Sequence, residues 1–238
     1  MNSMTEAWDF LVYVPLPYVA AAVFALGTAY RIRDWWTRPR AKAVVFPAAS
    51  SSLATATRVG GDILLFLKTL RGSKALWAMA FSFHVGLALA LMGHVRTITE
   101  VHWFWKLFGI DDAATIDDVT FVLGAIAGTL LLAGGLLLLL RRLTPTWRVL
   151  SIFEDYFVLA LLVGIIVTGS YMRFITSPEL EGIRDYTTSV LTLRPEATVS
   201  NPLFLAHFLL ALGLIAYFPF SKLVHLFSKP VTDSWTVR

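Results

Sequence analysis

Cysteine is absent from this sequence of 238 residues, and charged residues are scarce. Without thiols the chain cannot form a disulfide or bind a metal through thiolate, so any metal must be held by histidine, methionine or carboxylates. Only 15% of the residues are charged, 57% are hydrophobic, and the mean hydropathy is +0.68. This composition argues against a water-soluble globular protein and favours one that faces lipid.

The few charged residues also lack the grouping that other functions need. The chain has no compact patch of basic and aromatic residues, so no nucleic-acid partner is expected. The first residues, Met1 to Glu6, have neither the positive charges nor the small-residue cleavage site of a secretory signal. The first apolar run is therefore expected to be a retained transmembrane span.

Long apolar runs dominate the rest of the sequence. A helix that crosses a bilayer needs about 20 mainly apolar residues, because its backbone polar groups must be bonded within the helix. The segments that meet this requirement are 8–30, 75–98, 117–140, 153–176 and 202–227. They predict an all-α fold, an integral membrane bundle of five transmembrane helices in a single domain, 1–238, surrounded by membrane lipid. Small residues in the third segment predict a helix-packing face: Gly124, Gly128, Gly134 and Gly135.

Basic residues are distributed unevenly between the two sides of this predicted bundle. The connection between the first two spans, the residues after the third span and the C-terminal tail hold fifteen of the twenty lysines and arginines. Because these residues concentrate on the cytoplasmic side, the N-terminus is predicted outside and the C-terminus in the cytoplasm. In the first inner connection, the apolar patch from Ile63 to Leu70 is too short to span and predicts a helix at the membrane interface.

Four of the five histidines fall inside two predicted spans, His84 and His94 in the second and His207 and His225 in the fifth. An unpartnered ionisable side chain inside a bilayer is costly, so such residues usually mark a ligand site or a functional path. The alternative is a simple hydrogen bond to a neighbouring helix. Because the second span runs outward and the fifth inward, His94 is level with His207 near the outer face and His84 with His225 near the inner face.

Two histidines at each level predict a particular metal centre. Two imidazoles that approach from opposite sides fill both axial positions of a haem iron, which suits electron transfer rather than oxygen chemistry. Structural zinc prefers four ligands close together, and each level would leave such a site half filled. The sequence therefore predicts two non-covalent haem b groups. Small residues beside the ligands either leave room for a flat ring or pack helices together: Gly86, Gly93, Ala206 and Gly213.

Several segments resemble the gamma subunit of respiratory nitrate reductase and its relatives, the membrane cytochrome b subunits of sulfite-reductase-linked and heterodisulfide-reductase-like complexes. The resemblance covers nearly the whole chain. It rests on Phe83-His84-Val85-Gly86, on Gly93-His94, on His207 and on the segment from Phe218 to His225. The resemblance implies that His94 and His207 hold the outer haem iron and that His84 and His225 hold the inner one.

The resemblance also implies a function. Such a chain is an electron-transfer subunit of a quinol-linked oxidoreductase, without a substrate-reducing centre of its own, in a bacterial or archaeal cytoplasmic (inner) membrane. It oxidises a quinol, menaquinol or ubiquinol, near the outer haem and passes electrons to a cytoplasmic iron–sulfur subunit and a catalytic subunit. Two departures argue against a nitrate-reducing partner: Thr115-Ile116-Asp117-Asp118 lacks an expected lysine, and the tail beyond Pro230 is short.

Charged residues near the membrane boundaries are candidates for further roles. Arg96, Arg173 and Lys222 are candidate partners of haem propionates, and Arg96 is also a candidate ligand of a quinone carbonyl. His102 and Asp118 are candidate acceptors of quinol protons, so that Arg96, His102 and Asp118 would form the quinol site. The alternatives are interfacial snorkelling or anchoring for the basic residues, an aromatic membrane belt around His102, and favourable helix-dipole contacts for Asp118.

Other functions compatible with these residues remain open at this point. The same subunit could run in reverse as a quinone reductase. Alternatively, the histidines could form a relay in a proton or metal transporter without haem. A passive membrane anchor, whose histidines only bond to other helices, is the third alternative. The transporter and the anchor would both be colourless proteins.

Overall fold

The computed structural model describes residues 3–37, 52–176, 179–195 and 199–228, and within these ranges all regular structure is helical. Five segments are long and apolar enough to cross a membrane: Ala7–Thr37, Lys74–Thr97, Ala113–Leu143, Phe153–Thr176 and Pro202–Phe220. The prediction of an all-α bundle with five membrane-crossing segments is confirmed. Some of the basic residues used to predict orientation lie outside the described residues, as does the tail beyond Pro230: Arg38, Arg40, Lys42, Lys229 and Arg238.

The first crossing segment consists of two consecutive helices. Helix α1 covers Ser3–Tyr13 and α2 covers Pro15–Thr37. Proline is accepted at the first position of α2 because the N–H that it lacks has no partner within a helix at that position. The backbone N–H of Val14 donates to the carbonyl of Phe10 at 3.0 Å, which keeps the junction compact.

The connection to the second crossing segment forms an elbow between two helices, α3 (Ser52–Leu64) and α4 (Leu67–Gly72). The prediction of one interfacial helix across Ile63–Leu70 is wrong, because Phe66 adopts a left-handed backbone with φ of 51° and interrupts the helix. Helix α5 (Lys74–His94) follows, capped by the hydroxyl of Ser73, and ends in a 3-10 turn over Val95–Thr97.

The third crossing segment is longer than the predicted 117–140. After the short helix α6 (His102–Lys106), α7 runs from Ala113 to Leu143. The Asp112 carboxylate accepts the backbone N–H of Thr115 at 2.7 Å and caps its start, which lowers the pKa of that carboxyl. Helix α8 (Pro145–Arg148) begins directly after the end of α7. The extra turns of α7 therefore extend beyond the apolar run at both ends.

The last two crossing segments both depart from regular α-helix near one end. Helix α9 (Phe153–Tyr171) continues into a π-helical turn over Met172–Thr176, and a helix that the sequence did not predict, α10 (Leu180–Leu191), follows it. Helix α11 covers only Pro202–Tyr217.

The predicted fifth span, 202–227, is therefore not one continuous helix. A 3-10 turn covers Phe218–Phe220, and Ser221 is extended, with φ of −100° and ψ of 171°. A second 3-10 turn, Lys222–Val224, then leads into a helical turn at 225–228. Pro219 has no backbone N–H to continue the helix, which explains why the break occurs there.

The crossing helices pack in an order that separates the two histidine-bearing elements. Helix α5 packs on α7, α7 on α9, α9 on α11, and α11 on α2. Within the described part of the chain, α5 and α11 make no comparable direct contact. They stand at opposite ends of the run α5–α7–α9–α11.

Glycines permit the close contact between α5 and α7. A Cβ on Gly86 would lie 2.9 Å from the carbonyl oxygen of Ala127, and a Cβ on Gly134 would lie 2.9 Å from the backbone nitrogen of Phe83. Such distances leave no room for a side chain next to backbone atoms. The predicted packing face of the third span is confirmed, and it serves two neighbours, because Gly124 and Gly128 instead face Arg173 and Ser170.

A cluster of ion pairs joins α7 and α10 to the end of α5. Arg96, just after α5, donates to the Glu100 carboxylate at 2.9 and 3.2 Å, to Asp117 at 2.8 Å and to the Thr120 hydroxyl at 2.6 Å. Arg184 of α10 also bonds Glu100, and its Nε donates to the carbonyl of Arg96 at 3.1 Å. Burial alone would raise the pKa of Glu100, but the two arginines outweigh it and lower that pKa below 4.5.

The α5–α7 contact gives a first prediction. Gly134→Ala should lower the free energy of unfolding by about 1–3 kcal/mol, because the added methyl group must push two backbones apart. The measurement is thermal unfolding in detergent. Gly182→Ala on α10 is the matched control, since its added Cβ would meet nothing within 4 Å. Equal stability of Gly134→Ala and the unmodified protein would contradict the close contact.

The ion-pair cluster gives a second prediction, on pH dependence. Glu100→Gln should destabilise the protein by roughly 2 kcal/mol at pH 7, because the charged hydrogen bonds to both arginines are lost. The Glu100 pKa is depressed in the folded protein, so its contribution is complete above the ordinary value of 4.5 and is lost as the pH falls through the folded value. The difference in unfolding temperature should therefore shrink on acidification.

The same measurement on Glu181→Gln provides the control, because Glu181 is exposed on the neighbouring helix α10. A Glu100→Gln difference that stays constant from pH 7 to strongly acidic pH would show that the charge of Glu100 does not stabilise the fold.

Candidate functional site

The four histidines of the predicted second and fifth spans form two pairs. His94 and His207 have ring centroids 6.2 Å apart, and His84 and His225 have centroids 6.0 Å apart. These are the same pairs that the matching of levels predicted. Three of the residues lie on α5 and α11, whereas His225 lies on the helical turn beyond the break at Ser221.

Each imidazole is oriented by a hydrogen bond at Nδ1. The Nδ1–H groups of His84 and His94 donate to the carbonyls of Ala80 and Ala90, one turn earlier on α5, both at 2.7 Å. The Nδ1–H of His225 donates to the carbonyl of Lys222 at 2.9 Å. Because a carbonyl oxygen can only accept, these bonds fix the tautomer and leave the lone pair of each ring on Nε2.

His207 is held in the same way, but by a neighbouring helix. Its Nδ1–H faces the carbonyl of Ile165 at 3.1 Å and the hydroxyl of Thr168 at 3.0 Å, both on α9. The Thr168 hydroxyl itself donates to the carbonyl of Gly164 at 2.8 Å. A Cβ on Gly169 would lie 3.0 Å from the ring, so the imidazole of His207 rests directly on α9. Thr168 was not singled out from the sequence, since a threonine inside an apolar span carries no distinctive signal.

The spacing of the pairs fits one iron between two imidazoles. Metal–imidazole bonds of about 2.0 Å on opposite sides of one ion put the two nitrogens about 4 Å apart and the ring centroids about 6 Å apart. In both pairs Nε2 has no hydrogen-bond partner among the described residues. No group of three or more His, Cys, Asp or Glu side chains that could hold a metal occurs in the same part of the chain. Two histidines fit a metal that brings its other ligands with it, as haem iron does.

The small residues near the ligands divide into two groups. Gly86 packs against α7 and leaves no space beside it, so it is a helix-packing residue. Gly93, next to His94, and Gly213, on α11, have nothing within 4 Å of an added Cβ. Open space therefore adjoins α5 and α11 at these two glycines.

The structure places the candidate propionate partners in contact with other protein groups. Arg96 bonds Glu100, Asp117 and Thr120, as described above. The guanidinium of Arg173 lies 5.2 Å from the ring centre of Phe121 and also contacts Gly124. The roles of Arg96 and Arg173 at haem propionates remain predictions.

Lys222 belongs to a second ion-pair cluster that the sequence did not reveal. Its Nζ donates to the buried carboxylate of Asp155 at 2.7 Å, and its backbone N–H donates to Glu154 at 2.9 Å. Arg142 also pairs with Asp155, at 3.3 Å. The start of α9 thus holds Lys222, whose carbonyl orients His225. In the sequence, only the acidic pair Glu154-Asp155 at the start of a predicted span hinted at this cluster. Lys222, the partner of Asp155, lies 67 residues further along the chain.

The predicted quinol-site residues lie on three different elements. Arg96 follows α5, His102 lies at the first position of α6, and Asp118 is exposed on α7. Among the described residues no hydrogen bond or ion pair joins the three side chains, and Arg96 pairs with Asp117. Their roles at a quinol site remain predictions.

Comparison with known proteins supports the same kind of centre. Residues 68–236 match the family described as nitrate reductase gamma subunit. The chain is 28% identical to the Hdr-like menaquinol oxidoreductase cytochrome b-like subunit of Archaeoglobus fulgidus, over 89% of this chain and 75% of that protein. It is 27% identical to the respiratory nitrate reductase 1 gamma chain of Escherichia coli, over 90% of this chain and 88% of that one. The chain therefore belongs to the nitrate reductase gamma subunit family.

Proposed function

We propose that this chain is the dihaem b subunit of a quinol-linked respiratory complex. The observation that carries the proposal is the geometry of two histidine pairs, each about 6 Å between ring centroids, with every Nδ1 bonded to the protein. His94 and His207 would hold the iron of one haem, and His84 and His225 that of the other. A haem b held by these residues would supply a one-electron iron couple.

The protein's own groups account for the remaining requirements of such a subunit. The carbonyls of Ala80, Ala90, Ile165 and Lys222 raise the basicity of the ligating nitrogens and hold the rings in place, as outer partners of metal-bound histidines generally do. The chain would carry no substrate-reducing centre of its own and would act with a cytoplasmic iron–sulfur subunit and a catalytic subunit.

The relatives and the charge distribution support a direction for this function. The Archaeoglobus fulgidus relative is a menaquinol oxidoreductase subunit by name, which supports a quinol as the electron donor. With the N-terminus outside, the His94–His207 pair lies near the outer face, and quinol oxidation there would release protons outside. Moving an electron inward against the membrane potential costs ~2.3 kcal/mol per 100 mV. This work would be stored in the membrane potential, so the reaction would conserve energy.

Arg96, His102 and Asp118 are the proposed residues of the quinol site.

The third prediction tests the cofactor. The protein purified after haem-replete expression should show b-type absorption in the dithionite-reduced state, with two haem b per chain by pyridine haemochrome assay. A reduced menaquinone analogue, added in place of dithionite, should produce the same absorption, because it should pass electrons to the haem. A correctly folded, colourless protein would overturn the proposal and favour the transporter or anchor alternative.

The fourth prediction tests the pairing. His84→Ala and His94→Ala should each lose about one of the two haems, because each removes one axial ligand from a different iron. Redox titration of the visible absorption should show that the surviving haem differs between the two variants. His102→Ala, which changes the one histidine that belongs to neither pair, should keep both haems. Loss of both haems from each single variant would contradict two independent pairs.

A further inference from the structure

Phe66 occupies a backbone conformation that phenylalanine ordinarily avoids. Its φ of 51° and ψ of 39° lie in the left-handed region, where a bulky side chain is disfavoured and glycine is the usual residue. Strained positions of this kind persist only where the surrounding structure compensates for them, and they cluster at functional sites. The ring of Phe66 therefore indicates a role that glycine could not fill.

The elbow that carries Phe66 is attached to α5. The indole N–H of Trp77 donates to the carbonyl of Leu65 at 2.8 Å. Trp77 in turn stacks on Phe81, with ring centroids 5.0 Å apart and planes 12° apart. The Phe66 ring meets Phe81 edge-on at 6.0 Å. These contacts fix the side chain of Phe66 against one face of α5.

The same ring contacts the imidazole of His84. The two centroids are 4.9 Å apart and the planes are inclined at 67°. On its own helix, Phe83 lies 5.5 Å from the imidazole at 79°, and Phe83 is held in place by its contact with Gly134. Two phenylalanine rings, one from the elbow and one from α5, thus contact the imidazole of His84.

An imidazole needs such support because its own torsion does not fix the ring. Rotation about the Cβ–Cγ bond of histidine has broad minima, so the plane of the ring is set by its neighbours. For His84 these neighbours are the hydrogen-bonded carbonyl of Ala80 and the rings of Phe66 and Phe83. Between them, the ring plane of His84 lies at 77° to that of His225. His94 and His207 are inclined at only 12°, and among the described residues neither has another aromatic ring in contact. The two pairs therefore differ in ring geometry as well as in position.

We propose that Phe66 is a positioning residue for His84: held by the left-handed elbow between α3 and α4, its ring keeps the imidazole of His84 crosswise to that of His225. This inference rests on the proposed function, in which the pair holds a haem iron. The angle between two axial imidazole planes sets the splitting of the iron d orbitals. Crossed planes give a more anisotropic low-spin ferric signal in electron paramagnetic resonance (EPR) than parallel planes do.

The test is EPR of the oxidised, haem-loaded full chain. The wild-type protein should give two low-spin signals, and the more anisotropic one should be absent from His84→Ala and present in His94→Ala. Phe66→Leu should shift the field position of the more anisotropic signal and leave the other signal unchanged, because only His84 loses a ring contact. Phe66→Tyr, which keeps the ring, should retain the wild-type spectrum.

Two controls separate positioning from general perturbation. Leu193→Gly relieves the other left-handed non-glycine backbone, φ of 60°, at a site without histidine contact and should change neither signal. Phe157→Leu removes a ring that packs on Phe153 and Tyr217 and should also change neither. If Phe66→Leu does not accumulate, Phe66→Met should show the same selective shift.

Several results would overturn the inference. These are a wild-type protein whose two signals are equally anisotropic, a Phe66→Leu protein whose spectrum matches that of the wild type, and a Phe66→Leu protein in which both signals shift together. Each of these results requires that two haems be bound, so each would leave the proposed function standing. A protein without haem would instead overturn the proposed function.

Discussion

The placement of α5 and α11 at opposite ends of a row of packed helices is the constraint on which the candidate site depends. Helices α7 and α9 link them side by side, so α5 and α11 approach each other through imidazoles rather than through interlocked side chains. The contact of Gly86 and Gly134 brings α7 close to α5, and Gly169 lets His207 rest on α9. Small residues thus set how closely α7 approaches α5 and how closely His207 approaches α9.

Charged clusters at both ends of the crossing helices hold the segments that carry or follow the histidines. Arg96, two residues after His94, is bound to α7 and α10 through carboxylates. Lys222, three residues before His225, is bound to the start of α9. Both basic residues were predicted to serve haem propionates. In the structure both Arg96 and Lys222 already pair with carboxylates of the protein. A haem propionate would therefore have to share these two basic side chains with the existing ion pairs.

Much of the fold followed from the sequence, because crossing a bilayer imposes a simple length and polarity rule. The five segments and the pairing of the histidines needed only apolar run length and chain direction. The rest depended on contacts distant in sequence. Helix α10 is too polar to stand out, and only the spacing of Ile183, Tyr186 and Val190 indicates the face that packs on α1 and α11. The elbow at Phe66 violates local backbone preference, so no local rule predicts it.

The break at Ser221 means that His207 and His225 do not lie on one rigid helix. On an unbroken helix, any rotation about its axis would turn both imidazoles together. Here His207 follows the rotation of α11, whereas His225 follows the position of Lys222 on Glu154 and Asp155. The two histidine pairs are thereby held by different elements, and residue changes between Tyr217 and Ser221 should move His225 without moving His207.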